Sequence, residues 1–254
     1  MDDGIVARLR AAGCVFAEEE AALLIEAGGG SLVDRRVAGA PLEHLLGWVA
    51  FAGLRLAVGP GVFVPRRRTE LMARVAIDRS PSVLVELCCG VGAVTAAVEA
   101  ALPVESYATD LDPVAVLFAA QNIRGTATAG DLDSALPSSL TGRVDVIACN
   151  APYVPTDEVR NMPPEARDHE PLVALDGGAD GLDVIRRAAG CAGRWLRPGG
   201  ALLVEVSESQ VEGARAAFEM AGLRPERVQD EMCTVLVGVS TGEIAGTPRE
   251  VARS

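Results

Sequence analysis

The sequence predicts an α/β fold in which a doubly wound, mostly parallel sheet follows a small helical region and a β-hairpin. Segments typical of strands and of helices alternate from residue 82 to residue 221, the pattern of a parallel sheet with helices on both faces. The first strand of this series runs directly into a turn of small residues at 88–92. Apolar residues make up 49% of the 254 residues, so the chain can bury a core of the size that such a fold needs.

The N-terminal elements precede this alternation. Apolar residues at helical spacing predict a helix over 5–27, which ends at three consecutive glycines, and a short second helix over about 31–38. Residues 48–58 are typical of two short strands that turn at Ala52 and Gly53, which is a plausible hairpin. Residues 65–70 then lead into another helix, with Thr69 as its expected N-cap.

The elements of the sheet follow in order. The predicted strands are 82–87, 105–109, 126–129, 144–149 and 201–206, and a closing pair of strands covers 224–228 and 234–239. The predicted helices between them are 92–101, 112–122, 182–196 and 208–221. The stretch after Ser240 is polar, and we expect a flexible tail there.

The charge balance bears on possible partners. The formal net charge is -12, and an acidic chain is poorly suited to bind long stretches of nucleic acid, because neutralising phosphates requires a basic face. The one basic cluster in the sequence is Arg66-Arg67-Arg68, which could contact an acidic partner or simply be solvated at the start of a helix. We therefore expect no nucleic-acid partner.

The cysteines and the apolar runs indicate the compartment. The six cysteines form no CxxC pair and have no histidine at ligand spacing, so we expect reduced, buried thiols and no metal. The first residues are acidic, and no stretch of about 18 apolar residues is free of charge or glycine. The sequence thus predicts a cytoplasmic protein with no signal peptide and no membrane span.

A first candidate site lies where the strand 83–87 meets its turn. Cys88, Gly90 and Gly92 are small, and small residues at the carboxyl end of a strand let a ligand approach the backbone closely. The dinucleotide fingerprint G-x-G-x-x-G is absent, and Glu86 would repel a pyrophosphate. Glu86 suits instead a cofactor that carries a cationic amino acid moiety. A tight turn without a ligand is the alternative.

Acidic residues follow the next two strands. Asp110 ends the strand after Glu86, and its carboxylate can accept both hydroxyl hydrogens of a ribose. Asp131 and Leu132 follow the strand 126–129, where an adenine amino group could be read. A loop or capping carboxylate is an equally good interpretation of Asp131.

A second candidate site is Asn150-Ala151-Pro152-Tyr153, directly after the strand 144–149. The Asn150 side-chain oxygen and the Ala151 carbonyl can accept the two N–H groups of a planar amide or amine, which turns its lone pair towards a methyl donor. Pro152 stiffens the loop, and Tyr153 offers an aromatic face to a planar group. A sulfonium methyl donor is already activated, so no protein nucleophile is needed. An ordinary strand-ending turn is the alternative.

Together these segments resemble one family. The tetrapeptide at 150–153 resembles the N-P-P-Y motif of amino-group methyltransferases, and the wider pattern resembles the protein-(glutamine-N5) methyltransferases that modify release factors, the HemK/PrmC type. The resemblance covers roughly residues 40–240. The segments that carry it are P-L-E-H-L-L-G at 41–47, F-V-P-R-R-R-T-E at 63–70, E-P-L-V-A-L-D-G-G-A-D-G-L at 170–182, P-G-G at 198–200 and Glu205.

The resemblance implies a class I, Rossmann-like methyltransferase fold with a mostly parallel seven-stranded sheet, and S-adenosylmethionine as the cofactor. It also implies a protein substrate, the glutamine of the GGQ loop of a peptide chain release factor. The implied parts are a helical substrate-recognition region at 1–40, a hairpin and linker at 41–70, the methyltransferase domain at 71–240 and a tail at 241–254. The implied cofactor residues are Glu86, Cys88, Gly90, Gly92, Asp110, Asp131, Leu132 and Asn150, and the implied catalytic residues are Asn150, Ala151, Pro152 and Tyr153.

The chain departs from the family pattern at three positions. Cys88 replaces a glycine, Ala151 replaces the first proline of the tetrapeptide, and Arg68 stands where an aspartate is usual. Two other functions stay open on the sequence alone. One is an amino-methyltransferase acting on adenine N6, cytosine N4 or guanine N2 of nucleic acid, and the other is a catalytically impaired paralogue that binds S-adenosylmethionine.

Overall fold

A seven-stranded sheet organises most of the chain. The structure, a computed structural model, describes residues 3–242. The strands are β1 (Trp48–Phe51), β2 (Leu54–Ala57), β3 (Val83–Leu87), β4 (Glu105–Asp110), β5 (Thr126–Ala129), β6 (Val144–Cys149), β7 (Leu196–Val206), β8 (Leu223–Gln229) and β9 (Thr234–Ser240). The large sheet has the order β5-β4-β3-β6-β7-β9-β8. Its first five strands are parallel, and β9 is antiparallel to both β7 and β8, which confirms the predicted fold class.

Helices cover both faces of this sheet. They are α5 (Glu70–Asp78), α6 (Ala93–Ala101), α7 (Pro113–Asn122), α9 (Asp183–Trp195) and α10 (Val211–Met220), and the short helix α8 (Pro164–His169) lies in the connection between β6 and α9. Because side chains alternate along a strand, β3 supplies Leu84 to the apolar core under α5, α6 and α7, and Val85 to the core under α9 and α10. A strand buried on both faces reads as a continuous apolar run, which is why β3 was predictable from sequence.

The N-terminal helices have an apolar cluster of their own, which includes Leu9, Leu24, Val33 and Leu45. These helices are α1 (Asp3–Ala11), α2 (Ala17–Glu26), α3 (Ser31–Val37) and α4 (Leu42–Leu46). The prediction of one helix over 5–27 is wrong, because the chain turns between α1 and α2 at Gly13, whose φ is +93°. The five-residue α4 was not predicted at all.

The predicted hairpin is confirmed. Strands β1 and β2 pair antiparallel, with Phe51 opposite Leu54. The two turn residues, Ala52 and Gly53, both have positive φ (48° and 77°), as the two-residue turns of tight hairpins require.

The division of the chain at residues 40, 70 and 240 stays a prediction, and residues 243–254 of the predicted tail lie outside the described part of the chain. Within residues 3–242 no helix has the length and apolar character needed to cross a membrane. In that same part, no three His, Cys, Asp or Glu side chains are grouped as they would be around a metal ion.

Candidate active site

A cavity opens at the carboxyl ends of β3, β4, β5 and β6, where doubly wound sheets bind their ligands. Ten of the residues predicted for the site line it. They are Glu86, Cys88, Gly90, Asp110, Asp131, Leu132, Asn150, Ala151, Pro152 and Tyr153.

Gly92 is the one predicted site residue that does not line the cavity in the described chain. Its φ is +76°, and a Cβ there would lie 2.9 Å from the Ile123 Cγ2 atom and 3.3 Å from the Ala119 Cβ atom. A glycine is therefore needed at this position for the start of α6 to approach the end of α7.

The turn after β3 is held by Asp110, at the end of β4. The Gly90 N–H donates to Asp110 Oδ2 at 2.7 Å, and the Asp112 N–H donates to Oδ1 at 2.9 Å. Burial raises the pKa of Asp110, and these two N–H donors oppose that effect. Cys88 has a φ of +52°, a left-handed conformation in which the family's glycine is unstrained.

Glu86 lies at the floor of the cavity and at the start of α6. Its carboxylate accepts hydrogen bonds from the Val94 N–H at 3.3 Å and the Thr95 N–H at 2.7 Å. Burial raises the pKa of Glu86 to about 7, although the helix N–H groups act in the opposite direction. A cationic group bound beside Glu86 would favour its charged form.

The far wall of the cavity contains Asp131 and Leu132. The Asp131 carboxylate forms an ion pair of 2.7 Å with Arg187, another residue of the lining. Leu132 has a φ of +49°, and its carbonyl accepts the Thr109 hydroxyl at 2.7 Å, so the backbone at this point of the wall is fixed by β4.

Asn150 follows β6 directly and lines the cavity. Its Nδ2 atom lies 3.5 Å from the Thr69 hydroxyl oxygen. Its Oδ1 atom is buried, yet no group of residues 3–242 donates a hydrogen bond to it. Buried polar atoms almost always have a partner in native proteins. An acceptor without one at a cavity wall is free to accept a hydrogen bond from a molecule bound in the cavity.

The loop after Asn150 is fixed through its backbone by the glycine-rich segment 175–181. The Val154 N–H donates to the Leu175 carbonyl at 3.0 Å, and the Gly177 N–H donates to the Val154 carbonyl at 2.8 Å. A Cβ at Gly177 would lie 2.6 Å from the Pro152 carbonyl oxygen, and one at Gly181 would lie 2.2 Å from that of Tyr153. These two glycines therefore let the two backbones touch.

Glu205, near the end of β7, is buried and accepts hydrogen bonds from three residues that line the cavity. Glu205 Oε1 accepts from Arg68 Nε at 2.8 Å and from the Tyr153 hydroxyl at 3.0 Å. Glu205 Oε2 accepts from the Thr69 hydroxyl at 2.7 Å. Arg68 also donates to the Tyr153 hydroxyl. Burial and the neighbouring Glu205 carboxylate raise the pKa of Tyr153, so the phenol stays protonated. Its hydrogen bonds with Glu205 and Arg68 hold the ring in place.

Thr69 occupies the predicted N-cap position of α5, but it does not cap the helix with its side chain. Thr69 is the last residue of a short 3₁₀ turn, and its side chain makes no capping hydrogen bond. A cap requires the hydroxyl to accept from the helix backbone, whereas this hydroxyl donates to the buried Glu205 carboxylate.

The basic cluster at 66–68 is largely neutralised. Arg66 Nη2 donates to both oxygens of Glu170, at 2.7 and 2.6 Å, and Arg68 pairs with Glu205. Two of the three positive charges are thus committed to buried carboxylates, so they are poorly placed to bind a phosphate backbone. Glu170 also accepts the Val64 N–H at 3.1 Å, which ties the segment 63–70 to the segment 170–182.

Sequence reasoning missed one supporting residue, Gln210, which donates through Nε2 to the Tyr153 carbonyl at 2.7 Å and to the Asp180 carbonyl at 3.2 Å. Gln210 ends the capping box that begins at Ser207, and this local pattern marks the start of a helix but gives no sign of the contact with the site loop. Thr69 was noticed but given the wrong role. Glu205 did carry a signal, because it is a lone acid in the apolar strand 201–206.

The order and direction of the strands are those of the class I S-adenosylmethionine-dependent methyltransferase fold. Two solved structures share this fold. A methyltransferase from Pyrococcus furiosus has a TM-score of 0.57 and 15% identity, with 75% of this chain and 90% of that chain covered. The 16S rRNA N2 G1207 methyltransferase of T. thermophilus, solved with AdoMet and guanosine, has a TM-score of 0.53 and 18% identity, with 76% and 49% covered.

Sequence relatives identify the family. The release factor glutamine methyltransferase of Streptomyces coelicolor is 42% identical over 189 residues, which cover 70% of this chain and 67% of the relative. That of Mycolicibacterium smegmatis is 39% identical over 203 residues, which cover 75% and 70%. No family model matches the chain. The chain belongs to the release factor glutamine methyltransferase family, which confirms the predicted enzyme class and its cofactor, S-adenosylmethionine.

Proposed function

We propose that this protein transfers a methyl group from S-adenosylmethionine to the side-chain amide nitrogen, N5, of a glutamine in a peptide chain release factor. The observation that carries the proposal is the buried Asn150 Oδ1 atom, for which residues 3–242 provide no donor. The N–H of a primary amide supplies such a donor. The names of the relatives support the substrate class.

The cavity residues fit the cofactor. Carboxylates at Glu86 and Asp110 suit a cationic amino acid moiety and a ribose, and the turn at Gly90 leaves room beside them. Leu132 and Asp131 would border the adenine. When bound, the cofactor supplies a methyl group on a positively charged sulfur, which is an electrophile without further activation.

The residues of the 150–153 loop would orient the acceptor amide. Asn150 Oδ1 accepts one N–H of the glutamine, and the Ala151 carbonyl accepts the other, so conjugation weakens and the nitrogen lone pair faces the methyl group. The nitrogen so oriented would gain the methyl group as that group's bond to the cofactor sulfur breaks, and it would then lose one proton to solvent. Alanine at 151 keeps the carbonyl that this arrangement uses. The Tyr153 ring, held by Glu205 and Arg68, packs against the planar amide.

The proposal is tested with purified protein, S-adenosylmethionine labelled in its methyl group, and a release factor. We expect the label on the glutamine of the GGQ loop, located by mass spectrometry. The matched control is the same release factor with that glutamine replaced by alanine. Equal labelling of the control would overturn the proposal, and labelling of DNA or RNA oligonucleotides in place of the protein would favour a nucleic-acid amino-methyltransferase.

Cofactor affinity should depend on the protonation of Glu86. Its pKa of about 7 in the free protein means that raising the pH from 6 to 8 converts it to the carboxylate that a cationic group prefers. We expect the cofactor Kd, measured by calorimetry, to fall by about tenfold over this interval. The Glu86→Gln variant should bind more weakly, and its Kd should be nearly independent of pH.

The stability of the free protein should change in the opposite direction. Because burial raises the pKa of Glu86 above its ordinary value, its contribution to the free energy of unfolding is fully present at low pH and is lost as the pH rises through about 7.

The prediction for cofactor binding has its own contrary outcome. If the Kd for the cofactor depended on pH to the same extent in the wild-type protein and in Glu86→Gln, the change in affinity would have to be assigned to another group.

A further inference from the structure

Three side chains form a hydrogen-bond chain behind the site loop. The Asn150 amide nitrogen lies 3.5 Å from the Thr69 hydroxyl oxygen, and the Thr69 hydroxyl lies 2.7 Å from Glu205 Oε2. Thr69 is 3% exposed and Glu205 is 2% exposed, so water does not compete for these contacts. We propose that Thr69 and Glu205 are positioning residues that fix which end of the Asn150 amide faces the cavity; this inference rests on the function proposed above.

The Glu205 carboxylate sets the direction of the hydrogen bonds in this chain of three side chains. A carboxylate only accepts hydrogen bonds, so the single hydroxyl proton of Thr69 is directed to Glu205. The Thr69 oxygen is then left with lone pairs only, and these can be satisfied by an N–H. Of the two ends of the Asn150 amide, only Nδ2 carries such a donor. The nitrogen therefore faces Thr69, and the oxygen is left for the substrate.

The opposite orientation of the amide is disfavoured on both sides. With the amide rotated by half a turn, Oδ1 would meet the lone pairs of the Thr69 oxygen, and the amide N–H groups would take the place where the substrate N–H has to be accepted. A buried polar group without a partner costs free energy, so the chain selects one of two nearly isosteric arrangements. A glutamine amide, which must donate at this point, is accepted by that arrangement alone.

The Glu205 carboxylate is itself held in place. Arg68 Nε and the Tyr153 hydroxyl both donate to Oε1, which leaves Oε2 for Thr69. The same carboxylate thus orients the aromatic ring of Tyr153 and, through Thr69, the amide of Asn150. Arg68, which stands where the family pattern has an acid, supplies the positive charge that pairs with Glu205.

The test compares Thr69→Val, Thr69→Ser and Glu205→Gln. Valine keeps the shape of threonine but has no hydroxyl, whereas serine keeps the hydroxyl. In Glu205→Gln the side-chain amide could donate to Thr69, which frees the Thr69 proton to turn towards Asn150. In the labelled-transfer assay with a release factor, we expect Thr69→Val and Glu205→Gln to lower kcat by about tenfold, roughly the factor that one hydrogen bond supplies. The calorimetric Kd for S-adenosylmethionine should change little, and Thr69→Ser should keep most of the wild-type kcat.

A second measurement does not depend on the substrate. The side-chain NH₂ signals of Asn150 in an ¹⁵N correlation spectrum are assigned by their loss in Asn150→Ala. In the wild-type protein and in Thr69→Ser, these protons should show a nuclear Overhauser contact to the side chain of residue 69. The contact should weaken in Thr69→Val and Glu205→Gln. Unchanged NH₂ signals and kcat in both of these variants would overturn the inference, as would failure of Thr69→Ser to restore kcat. If the wild-type protein labelled no glutamine, the proposed function would fail. The spectra would still decide whether the hydrogen bonds from Glu205 through Thr69 orient the Asn150 amide.

Discussion

Replacing Asn150 by alanine should abolish most of the transfer to glutamine while leaving cofactor binding nearly intact. The variant removes a buried side-chain acceptor on the cavity wall for which residues 3–242 provide no donor. A preorganised hydrogen-bonding group at a reacting centre contributes about 10²- to 10³-fold to turnover. We therefore expect kcat to fall by that factor, since the bond matters most where the amide conjugation is broken in the transition state.

The measurement is the initial rate of labelled transfer at saturating cofactor, together with the cofactor Kd by calorimetry. The matched control is Asn161→Ala, because Asn161 is an exposed asparagine whose amide donates to Glu158. The control should keep the wild-type rate. A rate for Asn150→Ala within about threefold of wild type would mean that Asn150 does not hold the substrate amide.

The sheet and most of the cavity were predictable because their signals are local. A buried parallel strand is a short apolar run. The residues at the carboxyl end of such a run, or just after it, lie at one edge of the sheet. Glu86, Asp110, Asp131 and Asn150 could therefore be placed at a common cavity without any knowledge of tertiary contacts. The short helices α4 and α8 were missed, because five or six residues do not complete two helical turns and show no period.

The contacts that hold the site were not predictable, because they join distant parts of the chain. The Thr69 hydroxyl and Glu205 are 136 positions apart, and Gln210 is 57 positions from the Tyr153 carbonyl that it binds. A threonine before a helix is ordinarily a cap, and a distant buried carboxylate overrode that preference here. Gly92 shows the opposite case, in which a residue of the cofactor turn is required for helix packing.

The departures from the family pattern acquire physical meaning in the same way. Arg68 replaces an acid, yet its charge is balanced by the buried Glu205 and it donates to the Tyr153 hydroxyl. Ala151 is 2% exposed and offers the same backbone carbonyl as the proline that it replaces. Neither substitution removes a group that the proposed transfer uses. This weighs against a paralogue that has lost its activity.

Replacing Gly181 by alanine should damage both the stability of the protein and the methyl transfer. A Cβ at this position would lie 2.2 Å from the Tyr153 carbonyl oxygen and 2.3 Å from Gln210 Nε2, and the φ of Gly181 is +74°. Overpacking costs about 1 to 3 kcal/mol, and a left-handed conformation adds about 1 to 2 kcal/mol for a residue with a Cβ. We expect the free energy of unfolding to fall by about 2 to 5 kcal/mol.

The effect on turnover follows from where the clash falls. The backbone at 181 and the Gln210 amide together hold the Tyr153 carbonyl, so the strain is relieved most easily by moving the loop that carries Asn150 and Ala151. We expect kcat to fall at a temperature where the variant is still folded, as checked by circular dichroism.

The controls are Gly190→Ala and Gly193→Ala, two glycines of α9 at which a Cβ meets nothing within 4 Å. These should raise the free energy of unfolding by about 0.5 to 1 kcal/mol, because alanine favours a helix interior. A Gly181→Ala protein as stable and as active as these controls would show that the segment 175–181 does not hold the site loop.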